Sequence, residues 1–228
     1  MAIGTIPRRM QIGELRSGDV LLCHRAKYNA VGALIERAIG SPYTHVALCT
    51  TNETFADSVP IGVRTGSVGD LVSESGHIAV LRNCADVWTP QRIGSLRTFV
   101  QLQVAEGKGY NMPGVLKFKT RREMTIATAQ ERLETYFSSE TPDQVAEATN
   151  EYFCSEFVVS CFISARIIDE SAAQVLQPHV FAPPDLADDL TFGALVGYLS
   201  PLEYIFPEGD PSIHWARFDE VFGRSREE

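Results

Sequence analysis

Residues 150–168, NEYFCSEFVVSCFISARII, are the longest apolar run in the chain. From residue 152 onward the run reads as helical, and a helix this apolar has to be covered by the rest of the fold. It also carries Ser155, Glu156, Ser160, Ser164 and Arg166. It falls short of the ~20 apolar residues that cross a bilayer, so it predicts a buried core helix over 152–168 and not a membrane span. Two cysteines stand on it. Cys161 is flanked by Phe157, Val158 and Phe162, where burial raises a thiol's pKa and removes access, so it is assigned to the core. Cys154 stands at the start of the run, after a polar segment. Unpaired backbone N–H groups and the positive end of the helix dipole favour a thiolate in a first turn. A thiolate attacks carbonyls, and the same N–H groups help to hold an oxyanion. Taken alone, Cys154 also reads as a small core residue.

Around this helix the chain predicts an α+β fold. SGD, at 17–19, is turn chemistry ahead of a β-rich run, VLLCH. NAVGALIERAIG, at 29–40, has helical spacing, with Gly40 as its C-cap. HVALCT, TFADSV and HIAVLRNC read as strands, and PIGV as a turn. Residues 91–105 read as a helix with Leu96, Phe99, Val100 and Leu102 near one face, and GKGYNMPG as a loop. QPHVFAPPDLADDL is a proline-rich loop leading into a short helix, and GYLSPLEYIF, at 197–206, is a last strand region. The polar stretch at about 118–149 reads as a variable surface insertion in a single domain spanning 1–228.

Charge and cysteine usage narrow the function. A formal net charge of -9 argues against nucleic acid and against an anionic membrane surface as partners. Five cysteines without paired spacing indicate reduced thiols and a cytoplasmic setting. The N-terminal residues lack a long apolar core, so no signal peptide is expected; export by a signal-independent route stays open. The cysteines and histidines show no Cys-x-x-Cys or His-x-x-x-His pairing, so no metal is expected, and no other cofactor either. GKGYNMPG lacks the strand–loop–helix context of a phosphate cradle. A nucleophilic Cys154 needs a base. There are five histidines, and spacing alone does not select one of them.

Three segments taken in order do select one. LRSGDVLL, IERAIGSPYTHVAL and YFCSEFV together resemble the permuted branch of the NlpC-type papain-like cysteine hydrolases, the YiiX and YaeF-like proteins. Their relatives include the lecithin:retinol acyltransferase type. In that branch the histidine strand precedes the Cys-Ser-Glu helix start, as His45 precedes Cys154 here. ADSVPIGV resembles the family's acidic strand and turn and puts Asp57 in the third catalytic place. The family usually has Glu there, so the reach to His45 is shorter by a methylene. A later Tyr-Asp of the family stands here as Tyr110-Asn111, and APPDL resembles a Pro-x-Asp-Leu segment near the family's C-terminal end. The matches lie before residue 66 and around Cys154; residues 85–150 carry little resemblance.

The resemblance implies a circularly permuted papain-like fold, an antiparallel sheet packed against helices. It implies Cys154 as nucleophile, His45 as base and Asp57 as the group that orients His45. The Cys154 N–H would be an oxyanion donor, with Tyr43 as a second contributor. The implied reaction cleaves amide bonds through an acyl-enzyme, on peptidoglycan-type peptides or other small amides. For a chain delivered as a toxin, a secretion-system or immunity partner is implied. Two alternatives remain: a thioesterase or acyltransferase on lipid acyl groups, and a papain-like binding scaffold with an idle thiol. Glu156 is expected to cap the helix, and Asp19 to stabilise the turn into the first strand.

Overall fold

The computed structural model describes residues 5–25, 36–37, 39–107, 109–110, 134, 151–169 and 178–223. Its centre is β1 (Val20–Arg25), which buries both faces: Val20 and Leu22 turn to one side, Leu21 and Cys23 to the other. β2 (Tyr43–Cys49) and β5 (Ser75–Arg82) flank it, both antiparallel. β3 (Thr54–Val59) and β4 (Gly62–Ser67) extend the sheet beyond β2, and β8 (Ala194–Leu199) extends it beyond β5. The order is β4-β3-β2-β1-β5-β8. β6 (Gly109–Tyr110) and β7 (Glu151–Tyr152) form a separate parallel pair.

Helices cover the two faces. On one side, α2 (Pro90–Glu106) and α3 (Cys154–Ser164) pack with Val20, Leu22, Val46, Leu48, Ala79 and Leu81 into the larger core. On the other, the N-terminal Met10 and Leu15 and Val68 and Leu71 of α1 (Val68–Glu74) cover Leu21, Ala47, Ile78 and Val80. The start of α2 follows from its sequence: Thr89 is the N-cap and accepts from the Arg92 N–H at 3.3 Å, and Pro90 fills the first helical position. Gly107 ends it in the left-handed region. Two further short α-helices lie among the described residues, α4 (Asp185–Asp188) and α5 (Phe218–Val221).

The mixed α and β composition, with an antiparallel six-stranded sheet, agrees with the α+β expectation. Several local expectations are corrected. β4 and α1 were not foreseen: GVRTGS is an edge strand whose polar residues face out, and Ser67 caps α1 by accepting from Gly69 N–H. The core helix starts at Cys154, because Glu151–Tyr152 pairs as β7, and it ends at Ser164. The last strand is Ala194–Leu199 and stops before Pro201, which has no N–H to give a ladder. On α2, Leu96 and Val100 are buried but Leu102 is exposed. The helix expected over 29–40 lies mostly outside the described residues, as does the polar insertion. Gly40 does take the left-handed cap conformation, and its N–H reaches Glu36 O at 2.7 Å.

Asp19 has the structural role expected of it. It accepts from Arg16 N–H at 2.8 Å, closing the turn in which Gly18 holds φ +91 against the Trp88 ring. It is also 1% exposed and takes a two-pronged pair from Arg82, at 2.8 and 2.6 Å. Arg82→Ala would leave that carboxylate buried without its countercharge. The expected loss is ~3–5 kcal/mol of folding stability, read by urea denaturation, and a loss below ~1 kcal/mol would show that the pair is dispensable.

Candidate functional site

The β2–β3 ladder is short. Its pairing covers Leu48↔Ala56 and Cys49↔Phe55. Beyond Leu48 and Ala56 the link is made by side chains: His45 Nε2 lies 2.8 Å from Asp57 Oδ2. The Asp for Glu change therefore does not break the reach. Asp57 has no exposed side-chain surface. It is directly paired across the β3–β4 hairpin with Arg64, whose Nε donates to Oδ1 at 2.9 Å and whose Nη2 donates to Oδ2 at 3.2 Å. Burial works to raise the Asp57 pKa, but His45 and Arg64 outweigh it and hold the carboxyl below its ordinary value.

Helix α3 brings the third member. Cys154 is its first residue, following Phe153 as N-cap, and Glu156 accepts from the Phe153 N–H at 3.2 Å, the cap expected of it. The Cys154 thiol lies beside His45, close enough to act on its pKa. With Nε2 on Asp57, Nδ1 is the ring nitrogen left for the thiol. Burial alone would push the His45 pKa down, but Asp57 and Cys154 prevail and raise it to about 10. Cys161 is fully buried and its thiol pKa is pushed well up by burial, as expected of a core residue. The structure thus brings Cys154, His45 and Asp57 together and adds Arg64, which the sequence reading missed. A two-residue turn, Pro60-Ile61, sets Asp57 opposite Arg64. That register becomes readable only once GVRTGS is taken as a strand.

Tyr43 goes elsewhere. β1 pairs Cys23 with His45 but His24 with Tyr43, so Thr44 is an extra residue in β2. Directly paired residues share a face. Tyr43 and His45, two positions apart, therefore turn to opposite sides of the sheet, and Tyr43 joins the larger core. Its hydroxyl lies 2.7 Å from His77 Nε2 and donates to Asp210 Oδ1 at 2.7 Å. Committed there, it is not an oxyanion donor for Cys154.

A second polar cluster surrounds that hydroxyl. His24, His77 and Asp210 each present a ligand-type atom within 4.8 Å of the others. Its members come from positions far apart in the chain, which is why no metal-type spacing announced it. Among the described residues, no helix is long and apolar enough to cross a membrane.

The chain matches no family model and no curated protein sequence. Among solved structures it is similar to the crystal structure of the metalloprotein yiiX from Escherichia coli O157:H7, at 13% identity and a TM-score of 0.43. That match covers 86% of this chain and 93% of the other. The neighbour bears a name of the family whose motifs this sequence resembles; a likeness this distant says nothing of chemistry at either cluster.

The raised His45 pKa has a measurable sign. The group's ordinary value is 6.5, so its contribution to stability is complete below that and is lost as pH rises through about 10. The His45 ring proton followed by NMR should titrate well above pH 6.5 in the native protein, and Asp57→Asn should bring that midpoint down. A wild-type midpoint at 6.5 or below would contradict the arrangement.

Proposed function

We propose that the chain is a cysteine hydrolase of the permuted papain-like type, cleaving amide bonds in small peptides through a Cys154–His45–Asp57 triad. One observation carries this reading: a cysteine at a helix start lies beside an imidazole whose Nε2 is held by a buried carboxylate. That is the nucleophile–base–orienter chain that acyl transfer requires. His45 holds the Cys154 proton as the imidazolium of a thiolate–imidazolium pair, and the thiolate attacks the carbonyl carbon. The oxyanion that forms is held by the backbone N–H of Cys154. As the C–N bond breaks, His45 returns its proton to the leaving amine. Water, deprotonated by His45, then releases the acyl group and restores the thiol. Asp57 orients the ring and stabilises its charged form. Arg64 keeps Asp57 ionised and fixed, so it is a positioning residue.

The preference for peptides, with peptidoglycan-type stems first, comes from the sequence resemblance. Asp57 in the third place favours a hydrolase over the acyltransferase branch, which carries a second histidine there.

Because the substrate is open, the first test reads the thiol itself. Iodoacetamide labelling of all five cysteines, resolved by mass spectrometry, should modify Cys154 first, ahead of the half-buried Cys84 and the buried Cys23, Cys49 and Cys161. His45→Ala should slow Cys154 alone. Cys154 reacting no faster than Cys84 would favour an idle thiol on a binding scaffold. Against a panel of peptide amides, Cys154→Ala should abolish turnover and Cys161→Ala should spare it. Asp57→Asn should lower kcat/KM by ~10²-fold or more, and a loss of only a few-fold would remove Asp57 from the third role.

A further inference from the structure

The cluster on the opposite face of the sheet, at the same end of β1, is unlike an ordinary core hydrogen-bond network. His24 and His77 are directly paired across the two strands, and their rings stack 4.5 Å apart at 22°. Asp210 reaches them from the C-terminal segment, where it caps the short turn Pro211–His214. Its two oxygens are treated differently. Oδ1 accepts from Ser212 N at 2.9 Å, from Ser212 Oγ at 2.6 Å and from the Tyr43 hydroxyl at 2.7 Å. Oδ2 is buried and has no hydrogen-bond partner. Its polar neighbours are two imidazole nitrogens, His77 Nε2 at 3.3 Å and His24 Nε2 at 3.7 Å.

Three hydrogen bonds accepted by Oδ1 favour the ionised carboxylate. A buried anionic oxygen without a donor is costly. A proton on one of the facing nitrogens would answer that cost only across 3.3 Å or more. A divalent ion answers it with both rings neutral, since neutral imidazole nitrogen and carboxylate oxygen are its natural ligands.

We propose that His24 Nε2, His77 Nε2 and Asp210 Oδ2 bind one divalent transition-metal ion of the Zn²⁺ class. The donors are close to the required spacing. Bonds of ~2.0–2.1 Å in a tetrahedral site put donors roughly 3.3 Å apart. The His77–Asp210 pair already stands at 3.3 Å. His24, whose side chain is 17% exposed, has the remaining move to make from 3.7 Å and leaves a side open for a fourth ligand from solvent. Tyr204 Oη lies 2.9 Å from His77 Nδ1 and can accept that nitrogen's proton when Nε2 holds the metal, which would take the place of the 2.7 Å contact between Nε2 and the Tyr43 hydroxyl. Three donors on Oδ1 leave Oδ2 as the ligating oxygen.

The role that follows is structural. Asp210 lies far along the chain from His24 and His77; Tyr204 and Phe206 pack on the His77 ring, and Trp215 on the neighbouring Tyr43 ring. The ion would pin the C-terminal segment 204–215 to the strand ends. The site lies on the opposite side of the sheet from His45 and is independent of the hydrolase reading.

The test uses the full chain, stripped with a chelator and titrated with Zn²⁺ by calorimetry and with Co²⁺ by absorption. Cysteines bind both ions, so Cys154→Ser is run beside the wild type. The expected result is one equivalent bound in both proteins, with no sulfur-to-cobalt charge-transfer band in the near ultraviolet. Asp210→Asn and His24→Gln should each weaken binding by more than the ~10–100-fold that losing an outer partner costs, and Tyr204→Phe by about that amount. Zn²⁺ should raise the Tm of the wild type but not of His24→Gln. The half-open position of His24 keeps that variant informative if Asp210→Asn does not fold. No saturable binding by the wild type, or binding undiminished in His24→Gln, would overturn the proposal. Binding lost in Cys154→Ser would place the ion at the thiol and overturn it as well.

Discussion

Helix α3 is apolar on nearly every side, and a helix of that kind has to be enclosed. Phe157, Val158, Val159, Cys161 and Phe162 are all fully buried, against β2 and β3 on one side and α2 on another. Enclosure leaves one way in for its first turn, which meets the sheet where the β2–β3 ladder gives out. The burial that drives the helix into the core thus also delivers Cys154 to His45. The apolar part is non-directional; the polar contacts of the first turn, through Glu156 and the thiol, set its position.

Two buried carboxylates, Asp57 and Asp210, then have to be satisfied at one end of the strands, on opposite faces of the sheet. Asp57 meets a guanidinium and an imidazole, an arrangement that keeps a positive charge on His45. Asp210 meets hydroxyls and a backbone N–H on one oxygen and two imidazoles on the other. The single extra residue in β2, Thr44, keeps the two systems apart. Were Thr44 instead paired in regular register, Tyr43 and His45 would share a face, and the Tyr43 hydroxyl would stand on the side of the His45–Asp57 pair. A bulge of this kind re-aims side chains at little cost to the ladder around it.

Much of the framework was legible locally. The runs VLLCH, HVALCT, TFADSV and HIAVLRNC became strands because continuous apolar residues suit a sheet covered on both faces. Thr89-Pro90 and Gly107 bound α2 by cap chemistry that is written in three residues. GVRTGS escaped because an edge strand needs few apolar residues and shows no strong pattern. The strand expected over 197–206 was placed too late, because Leu195 and Val196 precede the glycine taken as its start, and Pro201 bars any continuation.

At the site the division is the same. Cys154 at a helix start and Cys161 inside it were separable from sequence alone, because position along one helix decides access and dipole. His45 and Asp57 needed the ordered motifs, since five histidines and many carboxylates are equal to a local reading. Only the tertiary structure decided that Arg64 locks Asp57, that Tyr43 turns away from the thiol, and that His24, His77 and Asp210 converge. These follow from strand register, from one bulge and from the return of the C-terminal segment to the sheet. Sequence periodicity carries a residue's preference for a face. It does not carry the pairing between distant segments, where the energies of buried charge are settled.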